Sequence, residues 1–124
     1  MTVPRGRVLV AEDDVELRAV LVGSLRSWGY RVQETGSGTG LGHLLFGTGD
    51  EPPDLLVTDD RMPGVSGMSA LRAVRIQGWA TPVVLVTAFP DREVEEEARE
   101  LGAVVLAKPF ALEELHRLVD AALG

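Results

Sequence analysis

The chain has 124 residues, 45% hydrophobic and 25% charged, the make-up of one globular domain long enough to bury a core. A formal net charge of −7 argues against direct nucleic-acid binding and against adhesion to anionic membranes, both of which rest on positive charge. Without cysteine there is neither a disulfide framework nor a thiolate metal site, no apolar run is long enough to span a membrane, and residues 1–7 are too short and polar for a signal peptide, so the cytoplasm is the expected location.

The first element is the apolar run Val8-Leu9-Val10-Ala11, read as a strand. Asp14 then stands where it can cap a helix on which Leu17, Leu21, Leu25 and Trp28 recur at helical spacing. After a break at Gly29 a weaker strand is expected over 30–35. A helix follows at about 41–46, weakly marked, because Gly36, Gly38, Gly40, Gly42, Gly47 and Gly49 each lower helix propensity by up to ~1 kcal/mol in an interior position. Leu55-Leu56-Val57-Thr58 is the next strand. Met68, Ala70, Leu71 and Val74 mark a helix after the turn at 64–67. Val83-Val84-Leu85-Val86-Thr87 is a further strand, and Asp91 can cap a helix carrying Val94, Ala98 and Leu101 that Gly102 stops. Val104-Val105-Leu106-Ala107 is the last strand, and Leu112, Leu115, Val119 and Ala122 stripe the last helix.

Four of these strands are continuously apolar rather than alternating, which suits a parallel sheet buried on both faces. Strand and helix alternate five times, and right-handed crossovers then give a doubly wound α/β sheet. In such a sheet a ligand site lies outside the carboxyl ends of the strands, where strand order reverses. Glu12 and Asp13 follow the first strand, Asp59 the third, and Lys108 the fifth, while Thr87 ends the fourth.

Taken singly, each has an ordinary explanation. Carboxylates at 12–14 favour a helix start, which is the preferred reading of Asp14. Asp60, ahead of Met62-Pro63-Gly64, reads as turn chemistry. Thr87 suits a strand and Lys108 suits a surface. Jointly they do not, because three carboxylates at one rim repel one another unless a cation holds them. Oxygen donors without His or Cys select magnesium or a similar ion, from Glu12, Asp13, Asp59 and the main-chain carbonyl of Arg61. A carboxylate can accept a phosphoryl group, whose oxygens Lys108 and the Thr87 hydroxyl are suited to contact.

These motifs resemble those of response-regulator receiver domains over nearly the whole chain. The marks are Glu12-Asp13, the run Pro53-Asp54-Leu55-Leu56-Val57-Thr58-Asp59, the stretch Met62-Pro63-Gly64-Val65-Ser66-Gly67, Thr87-Ala88 and Lys108-Pro109-Phe110. The resemblance implies a flavodoxin-like sheet of order 2-1-3-4-5 and one receiver domain over 1–124, with its core from about 7 to 123. It implies Asp59 as the phosphorylated residue, four before the motif proline, rather than Asp60. It also implies magnesium on Glu12, Asp13 and Asp59, Thr87 as the switch hydroxyl, Lys108 on the phosphoryl group, and a cis peptide at Lys108-Pro109. The partners it implies are a histidine kinase or phosphotransfer protein, a downstream output domain or protein, and a homodimer through the 91–123 face.

Several features depart from the pattern: Glu12 stands in place of Asp, a conservative change, and the stretch from Gly102 to Lys108 is one residue short. An aromatic ring is expected near Val105, and Val105-Leu106-Ala107 has none; Ala111 stands where a polar cap is usual. His43 and His116 read as surface residues, Trp28 as packing, Trp79 as a partly exposed loop residue, and the glutamates at 93, 95, 96, 97 and 100 as a solvated helix face. Three other functions compete for the same residues. An aspartyl-phosphate phosphohydrolase needs a second acid two residues beyond its nucleophile, where Arg61 stands. A flavodoxin-like cofactor binder needs a phosphate-accepting first loop, which Glu12-Asp13-Asp14 would repel. A receiver-like scaffold that has lost phosphorylation would lack site residues, and all are present. Residues 1–6 resemble a natural start, which favours an N-terminal placement in any longer protein.

Overall fold

The structure is a computed structural model, and it describes residues 5–47, 49 and 51–124. The reading of residues 1–4 as part of a natural start therefore lies outside the described residues.

The strands are β1 (Arg7–Ala11), β2 (Arg31–Thr35), β3 (Leu55–Asp59), β4 (Val83–Thr87) and β5 (Val104–Ala107), and the helices are α1 (Val15–Ser27), α2 (Gly38–Gly42), α3 (Gly67–Ile76), α4 (Arg92–Glu100) and α5 (Leu112–Leu123). All pairings are parallel, in the order β2-β1-β3-β4-β5. The order reverses between β1 and β3, so the doubly wound expectation holds.

Two apolar layers hold the sheet. On one face Val8, Val10, Val57 and Val86 pack with Leu21 and Leu25 of α1 and Leu115 and Val119 of α5. On the other, Leu9, Leu56 and Leu85 pack with Leu41, Leu71, Val74 and Ala98. In β3, Leu55, Leu56 and Val57 have no exposed surface, each a gain of roughly 1.5–3 kcal/mol over an exposed side chain. That burial on both faces explains why the central strands read as unbroken apolar runs.

Two expectations need correction. β5 is not buried on both faces: it is an edge strand, where only Leu106 is buried and Val104 is 46% exposed. The second helix is not confined to 41–46. It starts at Gly38, capped by Ser37 accepting from the Gly40 N–H, and passes into a π-helical turn over His43–Gly47. Tertiary docking of Gly38 against residues 63–65 overrides the glycine propensities there.

Elsewhere the local signals agree with the structure. Asp14 accepts from the Leu17 N–H and Asp91 from the Val94 N–H, as N-caps. Ala111 offers no side-chain acceptor, and Glu114 reaches back instead to accept from the Ala111 N–H at 3.4 Å. The Lys108–Pro109 peptide is cis. Trp28 packs against the core and stacks on His116 with ring centroids 4.1 Å apart, while Trp79 meets Phe46 at 5.3 Å.

Candidate functional site

The register of the sheet brings the strand ends level. Ala11 pairs with Thr58, Asp59 with Val86, and Thr87 with Ala107, so the residues that follow emerge along one rim. Glu12 has no exposed surface, Asp59 is 6% exposed, and Thr87 is buried, while Asp13 lies in solvent. Glu12, Asp13 and Asp59 each present a carboxylate oxygen, and the three oxygens lie within 4.8 Å of one another. Lys108 enters from the end of β5, its Nζ 2.9 Å from Oε1 of Glu12 and 3.0 Å from Oδ2 of Asp59.

Burial pushes the Glu12 carboxyl up to about 7, an effect that Asp59 adds to and that Lys108 and the Asp14 N–H oppose. Burial works against the charged form of Lys108, but its contacts with Glu12 and Asp59 outweigh that and hold its pKa above the usual lysine value. Oε1 of Glu12 is close to the ammonium yet accepts no aligned hydrogen bond from any group. A buried carboxylate oxygen left so, beside two further carboxylates, is an all-oxygen set with spare lone pairs. It fits a hard divalent cation and offers nothing to a soft one.

The remaining polar contacts order the rim. Asp59 Oδ1 accepts from the Arg61 N–H at 3.2 Å, which turns the chain immediately after β3. Thr87 Oγ1 accepts from the Phe89 N–H at 3.0 Å, which leaves the hydroxyl proton free to be donated elsewhere. Asp60 Oδ1 accepts from the Met68 N–H at 3.2 Å, at the start of α3.

The structure thus brings Glu12, Asp13, Asp59, Thr87 and Lys108 to one rim, with Arg61 in the loop beside it. Sequence reasoning missed four contacts. Arg18 Nη1 donates to the Glu12 carbonyl at 2.9 Å and pairs with Glu34 at 3.3 Å, holding the β1–α1 turn. The Arg61 guanidinium lies 4.2 Å from the centre of the Phe89 ring, linking the β3–α3 and β4–α4 loops. The Gly38 N–H donates to the Pro63 carbonyl at 2.9 Å. Arg18 and Glu12 are only six residues apart but meet across the turn between β1 and α1, and the other partners are distant in the chain, so none of these contacts carries a periodic sequence signal.

The family model for the response regulator receiver domain matches residues 8–120. The transcriptional regulatory protein PdtaR of Mycobacterium tuberculosis is 37% identical over 98% of this chain and 58% of its own length. The regulatory protein AtoC of Escherichia coli is 34% identical over 94% of this chain and 25% of its own length. The chain therefore spans between a quarter and about three-fifths of these curated relatives. Among solved structures, the non-phosphorylated HemR receiver domain from Leptospira biflexa superposes with a TM-score of 0.86 at 26% identity, covering 98% of this chain and 95% of that one.

Proposed function

The chain belongs to the response regulator receiver family, and on that premise we propose that Asp59 accepts the phosphoryl group, in a reaction that needs magnesium held by Glu12, Asp13, Asp59 and the main-chain carbonyl of Arg61. A receiver is the phosphorylation-dependent switch of two-component signalling. The observation that carries the assignment is the Lys108 ammonium shared between Glu12 and Asp59, at 2.9 and 3.0 Å, beside an acidic cluster whose charge it only partly offsets.

The donor is a phosphohistidine on a histidine kinase or phosphotransfer protein. A carboxylate oxygen of Asp59 attacks phosphorus, the P–N bond breaks, and its electron pair stays on the imidazole nitrogen, which takes a proton from water. Magnesium, when bound, offsets the negative charge shared by the carboxylates and the phosphoryl oxygens. Lys108, already bonded to Asp59 Oδ2, is within a small side-chain movement of a phosphoryl oxygen on that carboxylate. The Thr87 hydroxyl donates its free proton to another. Water later attacks the same phosphorus and releases inorganic phosphate from Asp59. The chemistry of residues 1–124, a single receiver domain, is confined to its own phosphorylation and dephosphorylation.

The output is a downstream domain or protein read through the changed surface, with homodimerisation through the 91–123 face as one form of it. Direct contact with nucleic acid or membrane is disfavoured by the net charge of −7. No helix among the described residues is long and apolar enough to cross a membrane, and we place the domain in the cytoplasm.

Incubation with acetyl phosphate and magnesium should add one phosphoryl mass to the intact protein. Asp59→Asn should abolish the gain and Asp60→Asn should keep it. The opposite pattern would transfer the role to Asp60.

A further inference from the structure

The glycine-rich segment after β2 weakens its own helix, so an opposing gain must come from where it packs. At Gly38 that gain is visible. A Cβ placed there would sit 1.8 Å from the carbonyl oxygen of Val65 and 2.4 Å from its nitrogen, so no other residue permits this approach without backbone movement. The Gly38 N–H donates to the Pro63 carbonyl at 2.9 Å. The contact is reciprocal, since Gly64 has φ +88° and a Cβ on it would meet Thr39 Oγ1 at 2.7 Å. Among the hydrogen bonds between described residues, residues 61–66 are otherwise tied only to the flanking ends of β3 and α3, through Asp59, Ser69 and Ala70. Gly38 is thus the outside hydrogen-bonded hold on the main chain of a stretch that also carries the Arg61 carbonyl, while the Arg61 side chain rests separately on Phe89.

We propose that Gly38 is a positioning residue for the metal site: its bare backbone clamps residues 63–65 and so fixes the loop that presents the Arg61 carbonyl. The proposal rests on the magnesium reading above. A group that orients a metal ligand without touching the metal typically changes affinity by about 10–100-fold when removed. Binding and loop order are then coupled in both directions, so magnesium bound at the rim tightens the Gly38–Pro63 contact to the same degree that the contact tightens magnesium.

The test uses the intact domain. Gly38→Ala should weaken the magnesium dissociation constant, measured by calorimetry, by about tenfold. Its phosphorylation by acetyl phosphate should return to the wild-type rate at saturating magnesium, a recovery that general unfolding would not show. Gly40→Ala is the control, because its Cβ would press on Thr35 Oγ1 at 2.1 Å, at the end of β2, and not on residues 63–65. It should lower the melting temperature and leave magnesium affinity within about twofold, well short of the change expected at Gly38. If Gly38→Ala does not fold, amide exchange of the wild type decides: magnesium should slow exchange at Gly38 along with residues 61–66. Equal magnesium affinity in Gly38→Ala and wild type, or a Gly38 amide indifferent to magnesium, overturns the clamp alone. A wild type that binds no magnesium overturns the site reading beneath it as well.

Discussion

Nζ of Lys108 stands 2.9 Å from Oε1 of Glu12, a carboxylate with no exposed surface. Removing one partner of a buried pair typically costs about 3–5 kcal/mol when the other charge is left unpaired, but the Glu12 carboxyl, already pushed up to about 7, can take a proton once the ammonium is gone. Lys108 itself is 22% exposed, so water softens the loss. Lys108→Ala should therefore destabilise the metal-free protein by about 2 kcal/mol in urea unfolding, within the range for breaking a buried network. Added magnesium should narrow the gap between variant and wild type, since a divalent ion supplies the missing positive charge. A gap that magnesium leaves untouched would count against a shared cation site.

Asp13 is the exposed member of the acidic cluster, so its repulsion with Glu12 and Asp59 is screened. Asp13→Ala should raise metal-free stability by no more than about 1 kcal/mol. Its larger effect is on binding: magnesium should stabilise the wild type by mass action and the variant much less. Thermal melts with and without magnesium report both numbers. Equal shifts in the two proteins would remove Asp13 from the ligand set.

The same glycine segment yields a stabilising substitution. Gly42 lies in α2 without positive φ, and a Cβ added to it would meet nothing within 4 Å, unlike one at Gly38 or Gly64. Gly42→Ala should add about 0.5–1 kcal/mol by lowering the entropy of the unfolded chain, with no change in magnesium affinity. A loss of stability would show that the π-helical turn after it needs glycine freedom at that point.

The rim residues were legible in the sequence because each follows an apolar run, and a parallel sheet delivers every strand end to one edge. Glu12, Asp59 and Lys108 needed only that topology to converge. The α2 region was not legible in this way. Its glycines speak against a helix when counted locally, yet Gly38 is there for a contact with Val65 that lies 27 positions on in the chain. Edge exposure of Val104 does not show in composition, since Val104-Val105-Leu106 reads like a central strand; it follows from the order 2-1-3-4-5 that the resemblance implies, which places β5 outermost. The Arg61–Phe89 stack joins two loops that sequence periodicity does not describe at all.

Signal transmission from the rim should follow the contacts of Thr87. In the resting structure its Oγ1 accepts from the Phe89 N–H at 3.0 Å, so a hydroxyl drawn towards a phosphoryl group at Asp59 pulls on the 88–90 loop. The ring that the family pattern implies near position 105 would fill the space vacated, but Val105 is too small to do so. What the loop does hold is Phe89, 57% exposed and stacked under the Arg61 guanidinium, followed shortly by the Asp91 cap of α4. α4 is fastened to α3 by the Arg72–Glu97 ion pair and by Arg75 Nε donating to the Leu101 carbonyl at 2.7 Å. Movement of the loop therefore works against those two fastenings. Shifting the populations from 1:99 to 99:1 needs about 5.5 kcal/mol of differential interaction, and with one coupling element missing phosphorylation should shift this domain only partly. Beryllofluoride, a stable phosphoryl mimic, should change amide exchange chiefly at residues 88–101, and Glu97→Gln should enlarge that change by loosening the tie to Arg72. Changes confined to residues 104–107 and α5 would overturn this route and assign the readout to β5 despite its missing ring.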